Sequence, residues 1–143
     1  MLIGEHVYKV GAKNRVALPK AFREEIGSKI VVTRGYEGCL VVVSPAQWGS
    51  LISDAASGPF VSSPVRDTSR FLLGGAAEIE LDEQGRFVLP KSLVDYAGIT
   101  DEVCFLGLGR WVEVWDKTRW GERQKYLAEE AGEIAEKLAQ LEV

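Results

Sequence analysis

Residues 13–22, KNRVALPKAF, and residues 84–93, QGRFVLPKSL, carry the same Arg-x-x-Leu-Pro-Lys core at an offset of 71 positions. In this frame Arg15 meets Arg86, Leu18 meets Leu89, Pro19 meets Pro90 and Lys20 meets Lys91. The match extends to Gly4 with Gly75 and Gly27 with Gly98. With one residue inserted, it continues through Val31 with Val103, Gly35 with Gly107, Val42 with Val114 and Trp48 with Trp120. Self-similarity held in one frame over so much of the chain marks a duplicated unit.

The second copy is the clearer one to translate into local structure. Ile79 and Leu81 alternate with Glu78 and Glu80, the pattern of a half-buried strand over Ala77 to Leu81, and Arg86 to Leu89 reads as another strand. Asp82-Glu83-Gln84-Gly85 between them suits a type I hairpin connection, with Asp in the first position and Gly supplying a positive φ. Pro90 opens a short helix that Gly98 closes, because Pro is preorganised for a first helical turn and Gly for a left-handed cap. Val103 to Leu106 and Trp111 to Trp115 form a second hairpin. The first copy repeats the order through Ile30 to Arg34, Gly35 to Gly38 and Cys39 to Val43.

Each copy, at about 50 residues before its trailing helix, buries too little surface to be comfortable alone, so the two are expected to share one core. The expected division is a first module with its trailing helix over residues 1–56, a linker over 57–66 containing the Ser-, Gly- and Pro-rich SGPFVSSP, and a second module over 67–143. From Trp120 onward, apolar residues at 120, 127, 131, 134, 138 and 141, interrupted only by Gln124, predict a helix of about 20 residues with one apolar seam. That seam needs a partner, either the protein's own core or a neighbouring subunit.

Apolar residues make up 46% of the 143 and charged residues 27%, which points to a folded globular chain. No apolar run approaches the roughly 20 residues of a membrane span, and the start, MLIGEHVYKVGAKN, has no export signal, so a cytoplasmic protein is expected. In that setting Cys39 and Cys104 are expected to be free thiols. The net charge of −4 hides an asymmetry: residues 1–71 carry +3 and residues 72–143 carry −7. Lys9, Lys13, Arg15, Lys20 and Arg23 fall in a stretch from His6 to Arg23 with no acidic residue. Lys13 and Arg15 on the first turn, with Lys20 and Arg23 on the helix after it, would form a basic face that neutralises phosphates. Arg15 is the best candidate for reading a base, since its planar fork of donors matches guanine O6 and N7. Arg86 and Lys91 hold the equivalent places in the second copy, but Glu78, Glu80, Asp82 and Glu83 surround them, so the first copy is expected to dominate.

The duplicated strand, Gly-Arg, strand, Pro, helix pattern resembles the MraZ family of bacterial transcriptional regulators. Its most specific piece is Asp82 to Arg86 in LDEQGRFVLP, supported by Trp48 and Glu113-Val114-Trp115-Asp116. The first copy departs from that pattern: Gly11 stands where Asp is expected and Asn14 where Gly is usual. Asn tolerates the left-handed region, so the turn is expected to form without a carboxylate to orient Arg15. The resemblance implies an α+β, mainly β fold of two tandem swapped-hairpin, AbrB-like modules. These would form one pseudo-symmetric β-barrel core with short helices and a longer C-terminal helix. It also implies a cytoplasmic, nucleoid-associated, ring-forming homo-oligomer. Such a protein binds double-stranded DNA at short promoter repeats and controls the division and cell-wall gene cluster. The residues expected at the DNA in this chain, from the basic stretch and its repeat, are Lys13, Asn14, Arg15, Lys20, Arg23, Arg86 and Lys91.

Other classes fit less well. One histidine, His6, and two cysteines at non-equivalent positions provide no catalytic or metal-ligand set, and Gly107-Leu108-Gly109 lacks the rest of a dinucleotide fingerprint. No enzyme, cofactor or metal is expected. An antitoxin of the AbrB type or a scaffold that does not bind DNA remain as alternatives. The duplication and the helical tail argue against the first, and salt-dependent DNA binding would exclude the second.

Overall fold

The computed structural model describes residues 1–141. In the first copy, strand β1 (Leu2–Lys9) leads through a tight turn to β2 (Arg15–Ala17), helix α1 (Lys20–Ile26), strands β3 (Lys29–Arg34) and β4 (Leu40–Val43), and helix α2 (Pro45–Ala56). Helix α3 (Ser63–Leu72) follows. The second copy then runs through β5 (Ala77–Glu80), β6 (Arg86–Val88), α4 (Lys91–Ala97), β7 (Glu102–Gly109), β8 (Val112–Asp116) and the long α5 (Lys117–Leu141).

Strands that adjoin across the first turn of each copy do not pair with each other along their length. The Asp82-to-Gly85 turn closes as expected, with the Gly85 N–H donating to Asp82 O at 2.9 Å and Gly85 at φ 76°. Beyond it the strands separate: β5 pairs antiparallel with β3, and β6 pairs antiparallel with β2 of the other copy. On the first-copy side β1 likewise pairs with β7. The result is a six-stranded sheet in the order β1-β7-β8-β4-β3-β5 and a separate ribbon of β2 and β6. The sheet does not close, since β1 and β5 stand at its two edges, so an open sheet capped by a ribbon replaces the expected barrel.

The core lies between sheet and ribbon and draws on both copies, as the small size of each copy requires. Ile30, Val32, Leu40, Val42, Val103, Phe105, Val112 and Val114 from the sheet meet Val16, Leu18, Phe22, Phe87, Leu89 and Leu93 from the ribbon and the short helices. Fully burying an aliphatic or Phe side chain of this kind contributes about 1.5–3 kcal/mol. The opposite face of the sheet is covered in two patches, Val31, Val41 and Val43 with Trp48 and Trp111, and Cys39, Cys104, Leu106 and Trp115 with Trp120. Buried on both faces, β4 is the continuous apolar run Leu40-Val41-Val42-Val43.

The pairing fixes the repeat frame more closely than sequence matching. Val10 N–H donates to Asp101 O at 2.8 Å and Leu81 N–H donates to Ser28 O at 2.7 Å, two equivalent bonds that place residue 28 over 101. Ile30 and Val32 therefore correspond to Val103 and Phe105, all four facing the main core, whereas the match of Val31 with Val103 is one residue out. Val42 and Val114 do correspond, because the first copy has one residue more in the turn that follows.

Two helices differ from expectation. Residues 57–62 carry no helix or strand, but α3 begins at Ser63, inside the expected linker, where Pro64 sits in its first turn. It is fixed from the first copy: Arg34 donates from Nε to Phe71 O and from Nη2 to Arg70 O, both at 3.0 Å, and its guanidinium lies 4.9 Å from the Phe71 ring centre. Helix α5 starts three residues before Trp120, where Asp116 Oδ2 accepts from the Arg119 N–H and caps it. Trp120 packs on Trp115 and the thiol cluster, while Leu138 and Leu141 at the far end are 60% and 77% exposed. The protein's own core thus takes the start of the seam and leaves its end uncovered.

Candidate nucleic-acid interface

The ribbon follows from strict alternation. Val16 opposes Phe87 and both point into the core, so their neighbours point out: Arg15 opposes Val88, and Ala17 opposes Arg86. Arg15 and Arg86 consequently sit diagonally on one exposed face, at the separation of about 7–8 Å typical of diagonal neighbours on a sheet, with Ala17 and Val88 completing the square. Ala17 leaves the approach to Arg86 open. The two turns brace each other's strands: Leu18 N–H donates to Gly85 O, and Leu89 N–H donates to Asn14 O, each at 2.9 Å.

The turns themselves differ in how they hold arginine. Asp82 Oδ1 accepts from the Gln84 and Arg86 N–H groups at 2.9 Å, and Asp82 Oδ2 pairs with Arg86 Nε at 2.8 Å. The Arg86 backbone N–H, followed by its guanidinium and the Gln84 N–H, holds the Asp82 carboxyl below its usual range against the opposing effect of partial burial. In the first copy Gly11 N–H still donates to Arg15 O at 2.8 Å, as Asp82 N–H does to Arg86 O at 3.0 Å, so the turn closes without the carboxylate. Asn14 occupies the left-handed region at φ 61°, as its position requires, and Lys13 does so at φ 60°, a conformation costing of order 1 kcal/mol for a residue with a Cβ. Arg15 has no ion pair among the described residues.

The remaining cations divide around the ribbon. Lys13 lies exposed in the first turn and Lys20 exposed at the first position of α1. Arg23 reaches across to the second copy, where it covers Gly85. Lys91, at the start of α4, is bound to Asp95 at 3.0 Å one helical turn on. An open cleft of about 440 Å³ joins Arg15 and Arg86 to Tyr8, Lys9, Gly11 and Ala12. Lys9 belongs to the acid-free basic stretch of the sequence but has no place on the turn or the helix after it, and Tyr8 carries no charge to single it out. The signal that finds them is the comparison of copies, since Ile79 and Glu80 stand in their places. Among the described residues no group of His, Cys, Asp and Glu side chains could hold a metal ion, and no helix is long and apolar enough to cross a membrane.

Fold and site together define a tandem duplicate of a small β module that exchanges strands between its copies and displays a paired-arginine ribbon. The sequence profile of one family, described as "MraZ protein, putative antitoxin-like", matches residues 1–71 and again 72–141. Relatives named "Transcriptional regulator MraZ" are 42% identical in Acetivibrio thermocellus and 39% in Syntrophomonas wolfei, each over 99% of both chains. A third, from Thermoanaerobacter sp., is 38% identical over the full length of both. The chain belongs to the MraZ family.

Proposed function

We propose that this protein is a DNA-binding transcriptional regulator whose β2–β6 ribbon enters the major groove, with Arg15 reading bases and Lys13, Asn14, Lys20 and Arg23 supporting it from the first copy. The observation that carries this reading is the outward placement of Arg15 and Arg86 on one face of a two-stranded ribbon whose other face is anchored by Val16 and Phe87. A ribbon of two strands fits a groove about 12 Å wide, and arginine is the residue best shaped for guanine edges. Arg86 is tied to Asp82 and Lys91 to Asp95, so the first copy dominates affinity and the second contributes less.

The family supports the finer reading: short, closely spaced promoter repeats of the division and cell-wall gene cluster as target, and a ring of subunits on the nucleoid, each meeting one repeat. Helix α5 fits that assembly, because the uncovered end of its seam at Leu138 and Leu141 can join subunits. The names of the relatives favour regulation over chemistry, in keeping with a non-enzyme. Fluorescence anisotropy with labelled duplex from upstream of the protein's own gene and with a scrambled duplex of equal length, at two salt concentrations, tests the reading. Tighter binding to the upstream duplex that weakens with salt is expected; equal affinity for the two duplexes would refute sequence recognition.

A further inference from the structure

The duplication supplies a control within the molecule. The cleft beside Arg15 is lined by Tyr8, Lys9, Gly11 and Ala12 on its β1 side and contains no carboxylate. At the offset of 71, which the equivalent turn bonds of Gly11 and Asp82 bear out, the matching positions of the second copy are Ile79, Glu80, Asp82 and Glu83. Three carboxylates thus stand where the first copy has Lys9, Gly11 and Ala12. The ribbon is nearly symmetric in its arginines and strongly asymmetric in its flanks.

We propose that the cleft between β1 and the ribbon seats one backbone phosphate of duplex DNA, held by the Tyr8 hydroxyl and by Lys9, and that the matching flank of the second copy repels it. This rests on the reading of the ribbon as a DNA-binding surface and adds a direction to it: each protein chain meets its site in one orientation. The Tyr8 ring is anchored edge-on to Phe105 with centroids 5.9 Å apart, yet the residue is 37% exposed, so its phenol edge is free to donate. Tyrosine hydroxyls and lysines are ordinary donors to DNA phosphates. Lys9 leaves β1 on the face opposite Tyr8, across from Glu102, and borders the cleft from the outer edge of the sheet, where β1 is the last strand. The Glu102 carboxylate is taken by Lys117 at 3.5 Å, which leaves the Lys9 ammonium to reach a phosphate round that edge. The open backbone at Gly11 and the methyl of Ala12 leave room for a phosphate that acids at these places would repel.

The test uses full-length Tyr8→Phe, Lys9→Gln and Ala12→Glu, with thermal unfolding as a check on folding and anisotropy on the upstream duplex across a salt series. Tyr8→Phe keeps its packing on Phe105 and should bind roughly tenfold more weakly, the scale of one hydrogen bond to a charged group, with an unchanged salt slope because no charge is lost. Lys9→Gln should reduce the slope of log affinity against log salt by about 1. Ala12→Glu, at an exposed position, should weaken binding at least tenfold with no loss of thermal stability. If all three bind like wild type while Arg15→Ala loses binding, the phosphate seat is wrong and the ribbon reading survives. If Arg15→Ala also binds like wild type, both fall.

Discussion

Arg23 of the first copy covers Gly85 in the turn of the second: a Cβ at residue 85 would overlap Arg23 Cδ and lie 2.5 Å from its Nε. Gly85 also needs its φ of 76°, so two independent constraints meet at one residue. Arg23 Nε is buried there without a hydrogen-bond partner, which means the contact is held by the packing of its stem.

Gly85→Ala should cost about 1–3 kcal/mol, from backbone strain and displacement of Arg23. Arg23→Met, which keeps the stem and removes the unpaired nitrogen, should be at least as stable as wild type while weakening DNA binding. In a double-mutant cycle by urea unfolding, the two sites should couple by at least about 0.5 kcal/mol. Strict additivity would show that Arg23 does not rest on the second turn in solution.

Gly11→Asp restores to the first copy the carboxylate that the second uses. Gly11 has an extended backbone at φ −81°, and its Cβ would meet Arg15 O at 3.4 Å, an ordinary contact. The Arg15 N–H now donates to Ala12 O, so the new carboxylate has to draw that donor to itself, as Asp82 holds the N–H of Arg86. The melting temperature should rise and DNA affinity should fall, because Arg15 acquires an acid partner. A variant that melts earlier than wild type would show that the first turn cannot accept this cap.

Ile134→Asp places a charge in the middle of the α5 seam, at a half-buried position between its covered start at Trp120 and its exposed end at Leu138 and Leu141. Static light scattering should show a smaller oligomer. An unchanged mass would mean that subunits do not meet through this face.

Cys39 and Cys104 are fully buried free thiols. Burial, reinforced by Glu113, pushes the Cys39 thiol far up, and burial, reinforced by Glu5, raises Cys104 to about 11. Thiols whose folded pKa exceeds the unfolded value of 9.0 contribute stability that is complete below pH 9 and lost as pH rises toward the folded values. Urea midpoints should therefore hold up to about pH 9 and fall toward pH 11. Native protein at pH 8 should react with no thiol reagent, and unfolded protein at two sites; rapid reaction of the native form would contradict this burial.

Much of this was legible before any coordinates. The Arg-x-x-Leu-Pro-Lys repeat located both turns, both short helices and both arginines, because turn and cap residues act locally. What lay outside its reach is non-local. Nothing in LDEQGRFVLP says that β6 will leave β5 for β2, since both partners offer the same alternation, and the diagonal pairing of Arg15 with Arg86 depends on that exchange. Helix α3 was hidden by the Ser, Gly and Pro residues before it, and its stability comes from Arg34 and Thr33 in the first copy rather than from its own propensity. The asymmetry of charge between Lys9 and Glu80 was in plain sight, but only the cleft beside Arg15 gives it a use.

The most direct test of the ribbon as the reading surface is the affinity of Arg15→Ala and Arg86→Ala for the upstream and scrambled duplexes, measured at two salt concentrations on variants of confirmed fold. Loss of one bidentate base contact, worth about 1–3 kcal/mol, should make Arg15→Ala bind the upstream duplex at least fivefold more weakly and remove most of its preference over the scrambled one. Arg86→Ala should lose less. Equal losses for the two variants would contradict dominance of the first copy, and wild-type discrimination by Arg15→Ala would contradict the account as a whole.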